Sequence, residues 1–208
     1  MKIISRIIIA GVFALAAFVN VNAQETNAGV NYKILPESTM EIDGTSTLHN
    51  FEIKAKEVDG SLVLTNAADK GATDDGAQSL SSLKVVIPVK KLDTDKSSMN
   101  DNMYDALKAD DNPNITYELQ KVNAGVLPSV AGDSTQISTT GVLTIAGKQK
   151  VVEMNVTGSV TKEGKIQFKG QKKLLMTDFG VDPPTMLFGT IKTGNAVVIK
   201  FNLLLAKK

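Results

Sequence analysis

The chain has 208 residues, 42% of them hydrophobic and 22% charged, with 23 basic side chains against 22 acidic, no Cys, no Trp and one His. A zinc site of Cys and His, a disulfide framework and a Cys nucleophile are excluded, and the near-neutral charge leaves no electrostatic footprint for nucleic acid. Every basic residue after Arg6 is lysine, which argues against functions that need the guanidinium fork.

Lys2 and Arg6 lead into the apolar stretch Ile7 to Val19, and Val21-Asn22-Ala23 offers small residues for cleavage before Gln24. That is the pattern of a secretory signal peptide, and its apolar stretch falls short of the ~20 residues that a membrane-spanning helix needs. The expected organisation is a cleaved signal peptide over 1–23, a short flexible lead over 24–29 and one domain over 30–208. Export to a bacterial periplasm or exterior follows, with no stable membrane anchor. Without Cys, stability must come from a packed core or from oligomerisation.

From Val30 onward the chain reads with period two. Candidate strands are Val30 to Leu35, Met40 to Gly44, Phe51 to Val58 and Ser61 to Thr65. Leu83, Val85, Ile87 and Val89 then share one face opposite Lys84 and Lys90, which marks a strand with one buried side. Further alternation places Ile115, Tyr117 and Leu119 on one face, then Gln136 to Ile145, Val152-Met154-Val156, Ile166-Phe168 and the C-terminal run Val197, Ile199, Phe201, Leu203, Leu205. Asp59-Gly60, Ala146-Gly147-Lys148, Glu163-Gly164 and Thr193-Gly194-Asn195 are expected as turns that use a positive φ.

Two segments break the pattern. Asn66 to Ser79 is small and polar and is expected as a mobile surface loop. Ser97 to Lys108 is the one expected helix, capped by Ser97 or Ser98, with Met99, Met103, Tyr104 and Leu107 as an apolar stripe that closes over the sheet or a barrel mouth. Short strands, hairpin turns and one helix indicate an antiparallel sandwich or a closed barrel.

Chemistry-bearing constellations are sparse. Asp93-Thr94-Asp95 opens like a calcium loop but has no Gly at the sixth position, so no metal site is expected. His49 is the only imidazole, set among hydroxyls in Gly44-Thr45-Ser46-Thr47-Leu48-His49-Asn50-Phe51, and no Gly-x-Ser-x-Gly pattern occurs. A hydrolase using His49 is therefore the remotest reading. Asp178 and Asp182, flanked by Gly180 and Pro183-Pro184, read more economically as a structural loop than as a glycosidase pair. What remains is the interior: an eight-stranded barrel has room for its own side chains or for one small ligand, and periodicity does not separate the two.

Four stretches together resemble the YceI-like family of exported polyisoprenoid-binding proteins: Gly44 to Phe51; Met99-Asn100-Asp101 through Tyr104-Asp105-Ala106-Leu107-Lys108 to Asn112-Pro113-Asn114-Ile115-Thr116-Tyr117; Gly141 to Lys148; and Met176-Thr177-Asp178-Phe179-Gly180-Val181 to Thr185. The resemblance implies an all-β, lipocalin-like antiparallel barrel of about eight strands whose apolar channel holds an isoprenoid chain. It implies a non-catalytic binding or carrier protein with no cofactor beyond a bound isoprenoid lipid or quinone, and a homodimer would fit. The expected channel residues are Ile53, Val85, Ile87, Ile115, Tyr117, Leu143, Met154, Phe168, Ile199 and Phe201, with Ser46, His49 and Asp178 at the mouth. The rival reading is a ligand-free structural or stress-response barrel with a filled interior.

Overall fold

The computed structural model describes residues 29–67, 76–186 and 190–208. The expected signal peptide, the lead up to residue 28 and most of the expected loop after Asn66 lie outside the described residues. Twelve strands follow in chain order: β1 (Val30–Ile34), β2 (Thr39–Ser46), β3 (Asn50–Ala55), β4 (Asp59–Asn66), β5 (Gln78–Pro88), β6 (Leu92–Asp93), β7 (Asn114–Ala124), β8 (Ser134–Ile145), β9 (Lys148–Val160), β10 (Ile166–Leu175), β11 (Thr185–Met186) and β12 (Ile191–Lys207). Helix α1 (Ser97–Ala106) lies between β6 and β7, and short 3-10 turns cover Val89–Lys91 and Met176–Phe179.

Eight strands close into an antiparallel barrel in the order β1-β4-β5-β7-β8-β9-β10-β12, with β1 returning to β12 through Tyr32↔Lys207 and Ile34↔Leu205. Closure is possible because β12, paired with β10 along one edge, is long enough to serve both β1 and β2 along the other. Its last residues pair with β1, while Thr193 to Asn202 pair with β2, which in turn pairs with β3 and β3 with β6. One end of the barrel is thus completed by β1 and β4. The opposite end is completed by the β2–β3 hairpin, α1 and the 3-10 turn at Met176–Phe179.

The barrel interior follows the expected parity. Val85, Ile87, Ile115, Tyr117, Leu143, Ile145, Ile166 and Phe168 are all buried, and their outward neighbours Lys84, Glu118 and Lys169 are exposed. At the end closed by β1 and β4, Leu62, Leu64, Leu127, Ile137 and Leu205 are fully buried, and Leu127, just past the end of β7, bridges to Gln78 at the start of the neighbouring strand β5. A Cβ on Gly158 would stand 2.6 Å from Ile137 Cδ1 and 2.9 Å from Leu127 Cδ2, so this end has no spare room.

Turn chemistry was legible in part. Ala146 (φ 48°) and Gly147 (φ 77°) form the tight β8–β9 turn, and Gly164 (φ 75°) sits in the β9–β10 turn. The other two expected turns are corrected: Asp59-Gly60 opens β4 and Thr193-Gly194-Asn195 lies within β12. Gly60 is needed there because a Cβ would overlap the carbonyl oxygen of Lys84, and the β12 stretch carries an irregularity against β2 between Thr193 and Val197. Gln78 and Ser79, expected in the loop, begin β5.

Helix α1 starts at Ser97 as expected but ends at Ala106, and Lys108 takes a left-handed φ of 52°. Lys96 occupies the N-cap position without a side-chain cap, in place of Ser97 or Ser98. The first turn is fastened from the side instead: Asn100 Oδ1 accepts from the Thr94 N–H at 2.8 Å and its Nδ2 donates to Asp93 Oδ1 at 2.8 Å. At the other flank, the Tyr104 hydroxyl donates to the Leu92 carbonyl at 2.7 Å and ties α1 to β6.

Candidate functional site: an apolar cavity at one end of the barrel

The end completed by β2–β3 and α1 encloses a cavity of about 440 Å³. Its walls come from inward positions of strands on both sides, Ile42, Ile53, Ile87, Ile115, Ile145 and Ile199 among them. α1 contributes Met99, Met103 and Ala106, its C-cap contributes Leu107, and the 3-10 turn contributes Met176 and Phe179, which lie three residues apart on one face. Phe51 is held as a flat wall because Gly44, its cross-strand partner, leaves the space its ring occupies.

The transition from open to packed falls between two successive cross-strand layers. Ile87, Ile115 and Ile145 line the cavity, whereas Val85, Tyr117 and Leu143, two residues further along the same strands, lie outside the lining. Tyr117 seals this level: its ring covers Gly141, where a Cβ would meet Tyr117 Cζ at 2.5 Å, and its hydroxyl shares a 3.1 Å hydrogen bond with Thr139. Burial pushes the Tyr117 phenol above its ordinary pKa, so it stays neutral and polar only at its tip.

Of the expected channel residues, Ile53, Ile87, Ile115 and Ile199 line the cavity. Val85, Tyr117, Leu143 and Phe168 lie in the packed interior, and Met154 is half-buried against it. Phe201 stacks on Gly170, its cross-strand partner, and borders a shallow surface groove rather than the cavity. Met99, Met103 and Leu107 of the expected lid line the cavity, while Tyr104 serves as the helix tie.

At the mouth, Ser46 and His49 line the opening and Asp178 does not. Asp178 is instead ion-paired with Lys150 at 2.8 Å on the outer flank. Ser46 Oγ donates to the His49 carbonyl at 2.8 Å and accepts the N–H groups of Leu48 and His49, so its proton is committed to the turn. His49 Nδ1 lies 3.4 Å from that hydroxyl. Together these bonds close the turn between β2 and β3.

Sequence parity would have found Met40, Ile42 and Val197, which alternate with polar or outward neighbours. Met176, Phe179, Val181 and Pro184 carry no such signal, because a 3-10 turn and the irregular chain after it have no period-two pattern. Ser98 was expected only as a helix cap, and Lys96 and Asn102, which also line the cavity, carried no expectation. Among the described residues, no group of His, Asp and Glu could hold a metal ion, and no helix is long and apolar enough to cross a membrane.

A closed antiparallel barrel with an apolar cavity open at one end is a lipocalin-like binding barrel. The chain belongs to the YceI-like domain family, whose profile matches residues 21–205. None of the curated proteins matches the sequence. Among solved structures, a polyisoprenoid-binding domain from Saccharophagus degradans implicated in plant cell wall breakdown is similar at a TM-score of 0.64 and 12% identity, over 86% of this chain and 99% of that one. BcnA of Burkholderia cenocepacia is similar at 0.58 and 23% identity, over 80% and 95%. A Campylobacter jejuni YceI protein is similar at 0.51 and 21% identity, over 75% and 84%.

Proposed function

We propose that this protein is an exported carrier that holds the apolar chain of one isoprenoid-type lipid in the open end of its barrel and binds rather than transforms it. The observation that carries this reading is the 440 Å³ cavity, whose walls are mostly aliphatic, methionine and phenylalanine side chains. Each buried CH₂ contributes about 0.8 kcal/mol, so a chain can be retained without a charge contact deep in the site. Methionines at four lining positions, Met40, Met99, Met103 and Met176, let the wall adapt to the shape of the chain. Family membership and the polyisoprenoid-binding neighbour support the ligand class.

Export rests on the signal-peptide pattern of the first 23 residues and predicts a mature N-terminus at Gln24. The rival, a ligand-free structural barrel, needs a filled interior, and the cavity weighs against it. Native mass spectrometry of protein purified from its own host, followed by lipid extraction, is the direct test. A co-purifying prenyl lipid is expected, with added prenyl alcohol stabilising the protein by about 2.7 kcal/mol at a hundredfold excess over Kd. No co-purifying lipid and no thermal shift with prenyl alcohols or quinones would remove the carrier reading.

A further inference from the structure

We propose that the apolar ligand enters and leaves the cavity sideways, through a gate in the barrel wall between β9 and β10. The leaf of the gate is the 3-10 turn Met176–Phe179 and its latch is the Lys150–Asp178 ion pair. This rests on the lipid-binding reading and adds the route by which that site fills and empties.

The wall is incomplete at this place. β10 pairs with β12 along its whole length, Ile166 to Leu175, but with β9 only as far as Gly170↔Val156. β9 itself stays paired with β8 back to Lys148, so beyond Gly170 two unpaired strand edges face each other. Among the described residues no backbone hydrogen bond crosses from β9 to this part of β10 or to the turn. Side chains bridge instead. Lys172, which has the parity of the buried Phe168 and Leu174, donates to the Glu153 carbonyl at 2.8 Å, and Lys150 pairs with Asp178 at 2.8 Å. The barrel has a similar lapse at its packed end, where β5 and β7 pair only from Lys84↔Glu118 to Pro88↔Asn114. That one is closed by backbone: Gln78 and Leu127 exchange N–H···O bonds of 3.2 and 2.8 Å, and Leu80 and Leu127 are buried.

The lapse opens on the cavity. Leu174, Leu175, Met176 and Phe179 line it, and Leu175 is also 40% exposed, so cavity and surface meet at this lip. Val151, on the facing edge of β9, is 64% exposed. A chain passing here crosses apolar lips, whereas the axial mouth carries Ser46, His49, Lys96, Ser98 and Asn102 beside a helix tied down through Asn100 and Tyr104. The turn also has the attachments of a leaf. On its β12 side the Thr177 N–H donates to Asn195 Oδ1 at 3.0 Å, and Asn195 Nδ2 donates to Thr177 Oγ1 at 2.8 Å. On its β9 side the hold is the Lys150–Asp178 pair, partly exposed, and ion pairs near the surface are weak. Gly180, at φ 66°, ends the turn in the left-handed conformation that glycine adopts freely, which suits a hinge.

The test is the exchange kinetics of the delipidated mature protein with retinol, a fluorescent isoprenoid. Lys150→Gln and Asp178→Asn should each raise the association and dissociation rates together, by about two- to fivefold, and leave Kd unchanged. High salt should do the same to the parent and add nothing in the variants. Because the chain has no Cys, Lys150→Cys with Asp178→Cys can be joined by a reducible bismaleimide as a lock. Both rates should fall in the locked protein and return on reduction. Equal rates in the locked and reduced forms would overturn the proposal, because the chain then uses the axial mouth. Rates unmoved in both latch variants would overturn it as well, even if the double Cys variant does not fold. Binding of neither retinol nor farnesol would instead remove the lipid-binding reading, and the gate with it.

Discussion

The two ends of this barrel are built from the same strands and the same residue types, yet one is packed and the other is hollow. On β5, β7 and β8 the same inward faces supply Val85, Tyr117 and Leu143 to the packed side and Ile87, Ile115 and Ile145 to the cavity. The difference arises from what completes the ring. At the packed end β1 and β4 bring Tyr32, Leu62 and Leu64 into the interior, and Leu127 and Ile137 fill the space over Gly158. At the hollow end the closing elements are a hairpin, a ten-residue helix and a 3-10 turn, and each of them lines the cavity instead of filling it. Stability and binding are thereby assigned to different ends of one continuous sheet.

The largest expected effect separates the two ends directly. Phe168 is 2% exposed in the packed interior, and Phe168→Ala should cost about 3–5 kcal/mol through lost burial and the cavity left behind. Met99 already borders open space at the mouth, so Met99→Ala should cost no more than about 1 kcal/mol while weakening ligand binding. Urea unfolding of both variants measures the contrast. Equal losses would mean that the hollow end contributes to the global stability as much as the packed one.

Adding volume gives the converse test at a smaller magnitude. Gly158→Ala places a methyl group within 3 Å of Ile137 and Leu127 and should destabilise by about 1–3 kcal/mol. Ala106→Leu adds more volume, but into the cavity, and should stay within about 1 kcal/mol of the parent while reducing the longest chain that binds. A strongly destabilised Ala106→Leu would show that the lid has no room to give.

Most of the barrel wall was legible in the sequence because a wall with one side in water imposes a period of two, and β5, β7, β8, β9, β10 and β12 all show it. What was not legible is depth. Val85 and Ile87 have the same pattern and the same burial, and whether an inward side chain meets a neighbour or an empty space depends on strands far away in sequence. For the same reason Phe168 and Phe201 could not be assigned to the packed interior and to the Gly170 stack. Met176 and Phe179 reach the cavity from a 3-10 turn, and the glycines at 60 and 194 answer to close contacts across the sheet that composition alone renders as turns.

The smallest effect concerns how the lid is attached, and acid should reveal it. The hydrogen bond from Asn100, and next the one from the Asp95 N–H, hold the Asp93 carboxyl below its ordinary value of 3.8. A depressed carboxylate supports the folded arrangement above the ordinary value, and that support disappears as the pH falls through the lower folded value. Asp93 carries no weight in the packed end, so acid in that window should loosen α1 first. Hydrogen exchange of the α1 amides should then accelerate while those of Ile137 and Leu143 keep their protection. Asp93→Asn should show the faster α1 exchange already at neutral pH and no further acceleration in acid. If the amides of β8 lose protection in step with α1, the two ends open as one unit, and the lid is not an independent device of the hollow end.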